Sequence, residues 1–328
     1  MTVGDRLASV RDYAEAAFRS HLGDFSSFEV IPNARHYLFR CRTRDAGDYV
    51  VKIYRPTVTL FNDIEITAYS KLHGAPFVKK CYASAAAQGA DPAYIITDYI
   101  EGSTLLDLIR SGRLDVATER LAVGGVVDFI RCCAKVKVRG FGHLGDNLVG
   151  ASPTWLDFLD GYLDRVRALV DEVQIGSIRA LMVKALCAAD RYRKEDIGFL
   201  GARPTMFAPI DMNMANFLVD RDQRLVVLDL KTFIAADPLF VVAEWMSHTH
   251  GTSRFDRFME FWGGINSEEE KCLRYYALIC NLDVLLYIVN NAAADPQTSC
   301  PWGNHRTFID LIEEHSACLA DTETCLLR

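Results

Sequence analysis

Several features are missing from this sequence, and each missing feature excludes a class of protein. The first eighteen residues contain acids and arginines but no apolar block, which excludes an ordinary signal peptide. No apolar run approaches the roughly 18 residues of a membrane-spanning helix. Repeats and low-complexity segments are also missing. The 328 residues are 50% hydrophobic and 24% charged, so we expect a cytoplasmic globular protein of about two domains, without a membrane partner.

The ten cysteines are scattered, and no two have the CxxC spacing of a metal site. Most stand among apolar residues, which favours buried thiols in a reducing compartment over a disulfide framework. His248 and His250 have no further ligands clustered near them, so we interpret them as polar residues at a helix end.

The net charge of −7 is unevenly distributed along the chain. Residues 1–97 contain 12 Lys+Arg against 10 Asp+Glu, whereas the remaining residues contain 24 against 33. The acidic part is a poor match for nucleic-acid phosphates and favours a cationic partner. The alternative is an acidic surface that serves solubility.

The order of hydrophobic patterns predicts an α+β fold with two lobes. An amphipathic helix pattern at residues 4–20 precedes five short β-branched and aromatic runs, and one helix pattern, "LFNDIEITAYSKLHG", lies between the third and fourth. Beyond Glu101 the patterns are helical, with Ser103 as the expected first cap and one strand pair, "NFLVD" and "RLVVLDL". We therefore predict a β-rich N-terminal lobe (1–97) and a large, mainly α-helical lobe (98–328) that contains a hairpin.

Polar residues interrupt an apolar run just before this hairpin, in "FAPIDMNMANFLVD" (207–220). Asp211 and Asn216 precede the first strand, and Asp229 ends the second, so the hairpin is predicted to bring Asn216 and Asp229 to one end. Amide and carboxylate oxygens suit Mg²⁺, which prefers hard oxygen ligands. Asp211 would then be free to accept a proton from a hydroxyl group.

These residues resemble the motifs of the protein-kinase-like superfamily, in its small-molecule branch of aminoglycoside phosphotransferases and choline kinases. That superfamily has an Asp and an Asn five apart, a later metal-binding Asp, and a strand lysine paired with a helix glutamate. The matches are Asp211, Asn216, Asp229, Lys52 in "YVVKIY" and Glu65 in "NDIEITAY". The segments "IITDYIEGSTLLDLI" and "ADPLFVVAEW" are similar to the hinge region and to the helix after the metal aspartate. The resemblance spans about residues 25–265.

The resemblance implies a kinase that uses ATP or GTP with Mg²⁺ to phosphorylate a hydroxyl of a small molecule. It implies Asp211 as the catalytic base, metal ligands at Asn216 and Asp229, and a nucleotide site that comprises Lys52, Glu65, Asp98, Tyr99, Ile100, Asn33 and Arg35. Substrate contacts are expected at Asn213, Asn290 and Trp302, with a hydrogen bond inside the loop as the alternative for Asn213. Tyr287 is also a substrate-pocket candidate by family position, but packing in the core is the favoured interpretation for it.

Two departures from the family pattern keep other functions open. The catalytic loop has Pro209-Ile210-Asp211 where the family usually has His-Gly-Asp, and the phosphate loop "VIPNARHYLF" contains no glycine. Side chains such as His36 would then contact phosphate in place of the backbone. A cationic acceptor, such as an aminoglycoside or a basic peptide antibiotic, would fit resistance or self-protection. The alternatives are a neutral sugar, nucleoside or choline-like acceptor, or a nucleotide-binding pseudokinase; a protein kinase is disfavoured because no Ala-Pro-Glu-like motif follows Asp229.

Overall fold

The structure is a computed structural model that describes residues 3–32, 36–55, 62–89, 91–291, 295–296 and 306–320. Backbone contacts divide the chain into two compact units. The first contains Met1–Ser103 and Leu218–Thr232, and the second contains Thr104–Phe217 and Phe233–Arg328. The predicted α+β class is confirmed, with a β-rich N-terminal region and a helical C-terminal region. The functions assigned to residues 1–97 and 98–328 stay predictions.

A five-stranded antiparallel sheet with the order β1-β2-β3-β5-β4 is the centre of the first unit. Its strands are β1 (Ser27–Ile31), β2 (Tyr37–Arg42), β3 (Asp48–Ile53), β4 (Cys81–Ala85) and β5 (Tyr94–Asp98), and its helices are α1 (Val3–Leu22) and α2 (Asn62–Lys71). Ala14 and Phe18 of α1 pack into one core with Val51 and Ile53 of β3. Because successive side chains of a strand point to opposite faces, Lys52 lies on the face away from this core.

The predicted hairpin is present in the first unit as β10 (Phe217–Asp220) and β11 (Leu225–Val227). Asp220 stabilises the turn, since its Oδ1 accepts the backbone N–H groups of Asp222 and Arg224, both at 2.8 Å. The short strand β6 (Gly102–Thr104) pairs with β10. A Cβ at Gly102 would lie 2.3 Å from the carbonyl oxygen of Val219, so this close approach requires glycine.

The second unit contains a sheet that the sequence analysis missed. Four strands, in the order β8-β7-β12-β9, form it: β7 (Phe141–Leu144), β8 (Gly150–Ser152), β9 (Met206–Pro209) and β12 (Phe233–Ala236). The prediction of a single strand pair after residue 101 was therefore wrong. The strands are three or four residues long, and every residue of β9 and β12 is buried, so no alternating pattern marks them.

Helices make up most of the second unit. In the described residues they are α3 (Leu105–Arg110), α4 (Val116–Ala134), α5 (Trp155–Glu172), α6 (Gly176–Glu195), α7 (Ile197–Gly201), α8 (Pro238–Thr249), α9 (Ser253–Trp262), α10 (Ser267–Asn291) and α11 (Phe308–Ala320). The cap of α3 is Thr104, whose side chain accepts the Asp107 N–H, and not Ser103 as expected.

In the described residues one helix, α10, is long and apolar enough to cross a membrane by length and composition, although no such span was expected from the sequence. However, 78% of its most apolar window is buried inside the protein. The core helix of a soluble protein passes the same test of length and composition, so this helix is weak evidence for a membrane span.

A buried aspartate at the start of α8 joins several elements of the second unit. Asp237 accepts hydrogen bonds from Arg203 Nε (2.7 Å), from the Tyr276 hydroxyl (2.8 Å) and from the Leu239 N–H (3.0 Å). Trp155 Nε1 on α5 in turn donates to the Tyr276 oxygen at 2.6 Å. The "ADP" of the motif "ADPLFVVAEW" therefore has a structural explanation, because a helix cap and a buried ion pair fix the position of α8.

The eight described cysteines are free thiols, and their burial matches the expectation only in part. Cys41, Cys133, Cys272 and Cys280 are buried, whereas Cys187 is exposed. His248 and His250 lie at the end of α8, as expected, but both are buried, and His250 Nε2 lies 2.7 Å from Glu314 Oε1. Hence these histidines belong to the packing of the second unit.

Candidate nucleotide and phosphoryl-transfer site

The lysine of β3 and the glutamate of α2 form an ion pair in the first unit. Lys52 Nζ donates to Glu65 Oε2 at 2.6 Å, and the Glu65 side chain is only 1% exposed. Burial alone would lower the pKa of Lys52, but the carboxylates of Glu65 and Asp229 outweigh it and hold the pKa above its ordinary value. The ammonium group of Lys52 is therefore charged and held in one place.

Tyr54 is a third member of this group, and the sequence analysis did not identify it. Its hydroxyl donates to the same oxygen of Glu65, and its side chain is buried. Burial and the nearby carboxylate raise the pKa of Tyr54, so it remains a protonated donor. Two donors from the end of β3 thus fix the carboxylate of Glu65.

Asp229 lies two residues after the end of β11 and faces the same lysine. Lys52 Nζ lies 3.8 Å from Asp229 Oδ1, and the ammonium group of Lys231 contacts Asp229 Oδ2. Burial would raise the pKa of Asp229, but the two neighbouring lysines lower it well below its ordinary value. The Asp229 side chain is 19% exposed and carries a full negative charge.

Lys79, like Lys231, is a basic residue of this cluster that the sequence analysis missed. A parallel bridge pairs Val78 with Val227 of β11, and this pairing brings the backbone around Lys79 alongside the segment that leads to Asp229. Burial, together with the Lys52 ammonium, lowers the pKa of Lys79 to about 8, although Glu65 and Asp229 partly offset this effect. Lys52 and Lys231 thus lie beside Asp229, and Lys79 interacts electrostatically with Glu65, Asp229 and Asp98.

The predicted hinge residues lie at the end of β5 and just after it, and the observed contacts of Asp98 and Tyr99 are structural. Asp98 accepts the Tyr82 hydroxyl at 2.8 Å and the Lys80 N–H at 3.1 Å. The Tyr99 N–H donates to the Asp48 carbonyl at 2.9 Å, and the guanidinium carbon of Arg40 lies 3.7 Å from the Tyr99 ring centroid. Contacts of Asp98, Tyr99 and Ile100 with a nucleotide base stay predictions.

The predicted phosphate loop is described only in part. Asn33 and Arg35 lie outside the described residues. His36 is buried, with its ring centroid 5.1 Å from that of Tyr54. The side chain of His36 therefore packs beside the tyrosine that holds Glu65, and its contact with phosphate stays a prediction.

The second unit contains the predicted catalytic loop, between β9 and β10. Asn213 Nδ2 donates to Asp211 Oδ1, and Asn213 Oδ1 accepts the Ala215 N–H at 2.9 Å. Both the nitrogen and the oxygen of the Asn213 amide thus form hydrogen bonds inside the loop. This is the arrangement expected if Asn213 has a structural role. The hydrogen bond from Asn213 orients the carboxylate of Asp211, whose role as a catalytic base stays a prediction.

The residues present fit a magnesium ion. Asn216 Nδ2 donates to the Asp211 carbonyl at 3.0 Å, so the other atom of this amide, the oxygen Oδ1, points away from that bond. With the ionised Asp229, the predicted ligands are oxygen atoms only, which is the set that Mg²⁺ prefers. No group of three or more His, Cys, Asp or Glu residues suited to a metal occurs in the described part of the chain. The juxtaposition of Asn216 and Asp229 stays a prediction.

Glu244, on α8, is an acidic neighbour of the catalytic loop that the sequence analysis also missed. Removal from water raises the pKa of Glu244 to about 8, and the negative charges of Asp211 and Asp283 contribute to the increase. A hydrogen bond with Cys280 acts in the opposite direction. Nothing in the sequence motif distinguishes Glu244 from an ordinary helix glutamate.

The predicted substrate residues of the C-terminal region have mixed outcomes. Asn290, near the end of α10, is exposed, and Trp302 lies outside the described residues. The expectation that Tyr287 packs in the core was wrong, since it is 43% exposed. Substrate contacts at Asn213, Asn290 and Trp302 stay predictions.

Comparison with known proteins gives matches in structure only. No known family profile matches the sequence. No curated protein sequence matches it either. Aminoglycoside phosphotransferase APH(4)-Ia is similar in structure, with a TM-score of 0.69 at 16% identity, and the match covers 96% of this chain and 99% of that chain. A thermostable mutant of that protein forms a ternary complex with AMP-PNP and hygromycin B.

Two further solved structures come from a choline kinase and from another phosphotransferase. Choline kinase LicA from Streptococcus pneumoniae matches with a TM-score of 0.62 at 14% identity, over 95% of this chain and 99% of that chain. An aminoglycoside 2'-phosphotransferase IIIa mutant, solved as its GDP complex, matches with a TM-score of 0.63 at 11% identity, over 94% and 96%. This chain therefore has the fold of aminoglycoside phosphotransferases and choline kinases, as the sequence resemblance implied.

Proposed function

We propose that this protein is a kinase that transfers the γ-phosphoryl group of a nucleoside triphosphate to a hydroxyl of a small molecule. The observation that carries the proposal is the cluster of Lys52, Glu65 and Asp229, which has the residue types and the pairing that phosphoryl transfer requires. The fold supports it, because phosphotransferases of this fold have been solved with AMP-PNP and GDP. The choice between ATP and GTP stays open.

Lys52 would contact the α- and β-phosphates. Its ammonium is held by Glu65 at 2.6 Å, so little side-chain entropy remains to be lost when a phosphate binds. Asp229 and Asn216 would supply oxygen ligands to a metal ion. When bound, Mg²⁺ supplies positive charge that stabilises the transferring phosphoryl group.

Asp211 would orient the acceptor hydroxyl and accept its proton. Its Oδ1 is engaged by Asn213, so the carboxylate has a fixed orientation. Orientation of this kind converts binding energy into rate, because the attacking oxygen must be in line with the phosphorus.

The acceptor that we favour is cationic. Residues 98–328 contain 33 acidic side chains against 24 basic ones, which attracts an amine-bearing molecule such as an aminoglycoside or a basic peptide antibiotic. Modification of such a compound would give antibiotic resistance or self-protection. A choline-like, sugar or nucleoside acceptor is the alternative.

The substitution Asp211→Asn tests the catalytic assignment. It removes the base but keeps the size of the side chain, so kcat should fall by about 10²- to 10⁴-fold. Nucleotide affinity, measured by calorimetry, should stay unchanged because this carboxylate acts on the acceptor. Asp164→Asn, at an exposed position of α5 in the same unit, is the matched control. A variant at position 211 that keeps more than about a tenth of the wild-type kcat would remove Asp211 from this role.

A pseudokinase remains a second candidate because a lysine of the chain itself contacts Asp229. It would bind nucleotide without turnover of any acceptor. Thermal-shift screening with ATP, GTP and Mg²⁺, followed by turnover assays on a panel of amine-bearing compounds, separates the two functions. A ligand present at about 100 times its Kd should raise the free energy of unfolding by about 2.7 kcal/mol.

A further inference from the structure

Asp229 is surrounded by cationic and N–H groups of its own chain. Its Oδ2 contacts the ammonium group of Lys231, and its Oδ1 accepts the Lys231 backbone N–H at 3.2 Å and lies 3.8 Å from Lys52 Nζ. The Lys231 side chain is only 9% exposed. Both oxygens of the proposed metal ligand therefore already have positive or hydrogen-donating neighbours.

The pairing of Lys231 with Asp229 has a direct physical cause. A lysine that is almost wholly buried needs a counter-charge, because an isolated buried ammonium is very costly. The surrounding sequence "VVLDLKTFIAA" is apolar apart from Asp229, Lys231 and one threonine, so Asp229 is the acid nearest to Lys231 along the chain. Hence the ion pair accounts for a lysine at this position.

A divalent cation and an ammonium group compete for the same carboxylate. Mg²⁺ or Mn²⁺ would need the carboxylate oxygens of Asp229 that Lys231 contacts, and a lysine that stayed nearby would repel the metal. Lys52 cannot be the main competitor, because its ammonium lies closer to Glu65, at 2.6 Å, than to Asp229. The residue that opposes metal binding is therefore Lys231.

We propose that Lys231 is an internal counter-cation of Asp229 that a divalent metal must displace, and that it sets a weak affinity for metal at this position. The proposal rests on the proposed function in one respect only, that Asp229 is a metal ligand. Asp229 and Asn216 would bind the metal, whereas Lys231 would oppose its binding.

The direct test measures Mn²⁺ binding to the full chain without nucleotide, from the loss of the free Mn²⁺ signal in electron paramagnetic resonance. Lys231→Met removes the charge but keeps an unbranched side chain, and its affinity for Mn²⁺ should be about tenfold or more higher than that of the wild type. Lys231→Arg keeps the charge and should bind as weakly as the wild type. Lys71→Met, at the exposed end of α2, is the matched control and should change nothing.

An affinity of Lys231→Met equal to or below that of the wild type would overturn the proposal, and circular dichroism shows whether this variant is folded. If it is not, Lys231→Gln replaces it, with the same expected gain.

Asp229→Asn distinguishes this inference from the proposed function. If the wild type binds Mn²⁺ with ADP and Asp229→Asn does not, the metal ligand is established, and a missing gain in Lys231→Met overturns this inference alone. If Asp229→Asn does not change the affinity for Mn²⁺ in the presence of ADP, Asp229 is not a metal ligand. Both this inference and the kinase mechanism then fail.

Discussion

The pair of Lys52 and Glu65 offers the sharpest test of how the first unit is held together. In Glu65→Gln the side chain keeps its shape but loses its charge. The remaining carboxylate near the Lys52 ammonium is that of Asp229, 3.8 Å away. Removing one partner of a buried ion pair costs roughly 3–5 kcal/mol. We expect the low end, about 3 kcal/mol, because Asp229 retains part of the compensation.

A loss of about 3 kcal/mol corresponds to a change of about 150-fold in the folding equilibrium. With an unfolding entropy of about 2.1 cal/mol/K per residue, each kcal/mol lowers the Tm of a 328-residue chain by about 1.5 °C, so Glu65→Gln should unfold about 4 °C lower. Glu101→Gln is the matched control in the same unit. Its side chain is 55% exposed and pairs with the exposed Arg221, so the free energy of unfolding should change by at most about 0.5 kcal/mol.

The same substitution should weaken nucleotide binding. Without Glu65 the Lys52 ammonium is attracted to Asp229 and moves away from the position proposed for the phosphates, so KM for the nucleotide should rise. Urea unfolding and nucleotide titration of Glu65→Gln and Glu101→Gln measure both effects. If the two variants were equally stable and bound nucleotide with wild-type affinity, the ion pair would have no role in this site.

Two further predictions concern the second unit. The pKa of Glu244 is raised from an ordinary 4.5 to about 8. Between these two pH values the folded chain keeps a proton that the unfolded chain has lost. The free energy of unfolding therefore falls as the pH rises from 4.5 to about 8. Glu244→Gln should therefore have the Tm of the wild type near pH 5 and a higher Tm near pH 8; equal differences at both values would contradict this. With a polycationic acceptor, kcat/KM should fall steeply as salt rises from about 0.01 to 0.1 M, while kcat stays constant, because salt screens long-range attraction. A flat profile would exclude a cationic acceptor and leave the kinase proposal intact.

The sequence predicted the parts of the site that carry a family pattern. Lys52, Glu65 and Asp229 were found because a lysine in an apolar strand, a helix glutamate and an aspartate after a hairpin occur in the expected order. The structure brings these three together in the first unit. Tyr54 was missed because a tyrosine at a strand end has many explanations, and only the fold shows that its hydroxyl contacts Glu65.

The two further lysines show different limits of sequence reasoning. Lys231 had a usable signal, since a lysine in an apolar run two residues after an acid needs a counter-charge. Lys79 had none: it stands beside Lys80 in "FVKKC", and β4 begins only at Cys81. The pattern therefore does not show that Lys79 is half-buried and Lys80 exposed. The sheet of the second unit was missed for a related reason: its strands are only three or four residues long, and β9 and β12 are buried throughout, so they show no alternating period.

The missing glycine of the phosphate loop and the presence of Lys231 have opposite electrostatic consequences. A glycine-rich loop offers backbone N–H groups to phosphate, and in this chain side-chain ammonium groups are the available substitute. Lys52, Lys79 and Lys231 attract an anionic phosphate but repel a divalent cation at Asp229. The negative charge of a nucleotide would offset that repulsion, because its phosphates bind the metal and the lysines together. A metal that binds weakly by itself would then enter this site as its complex with the nucleotide.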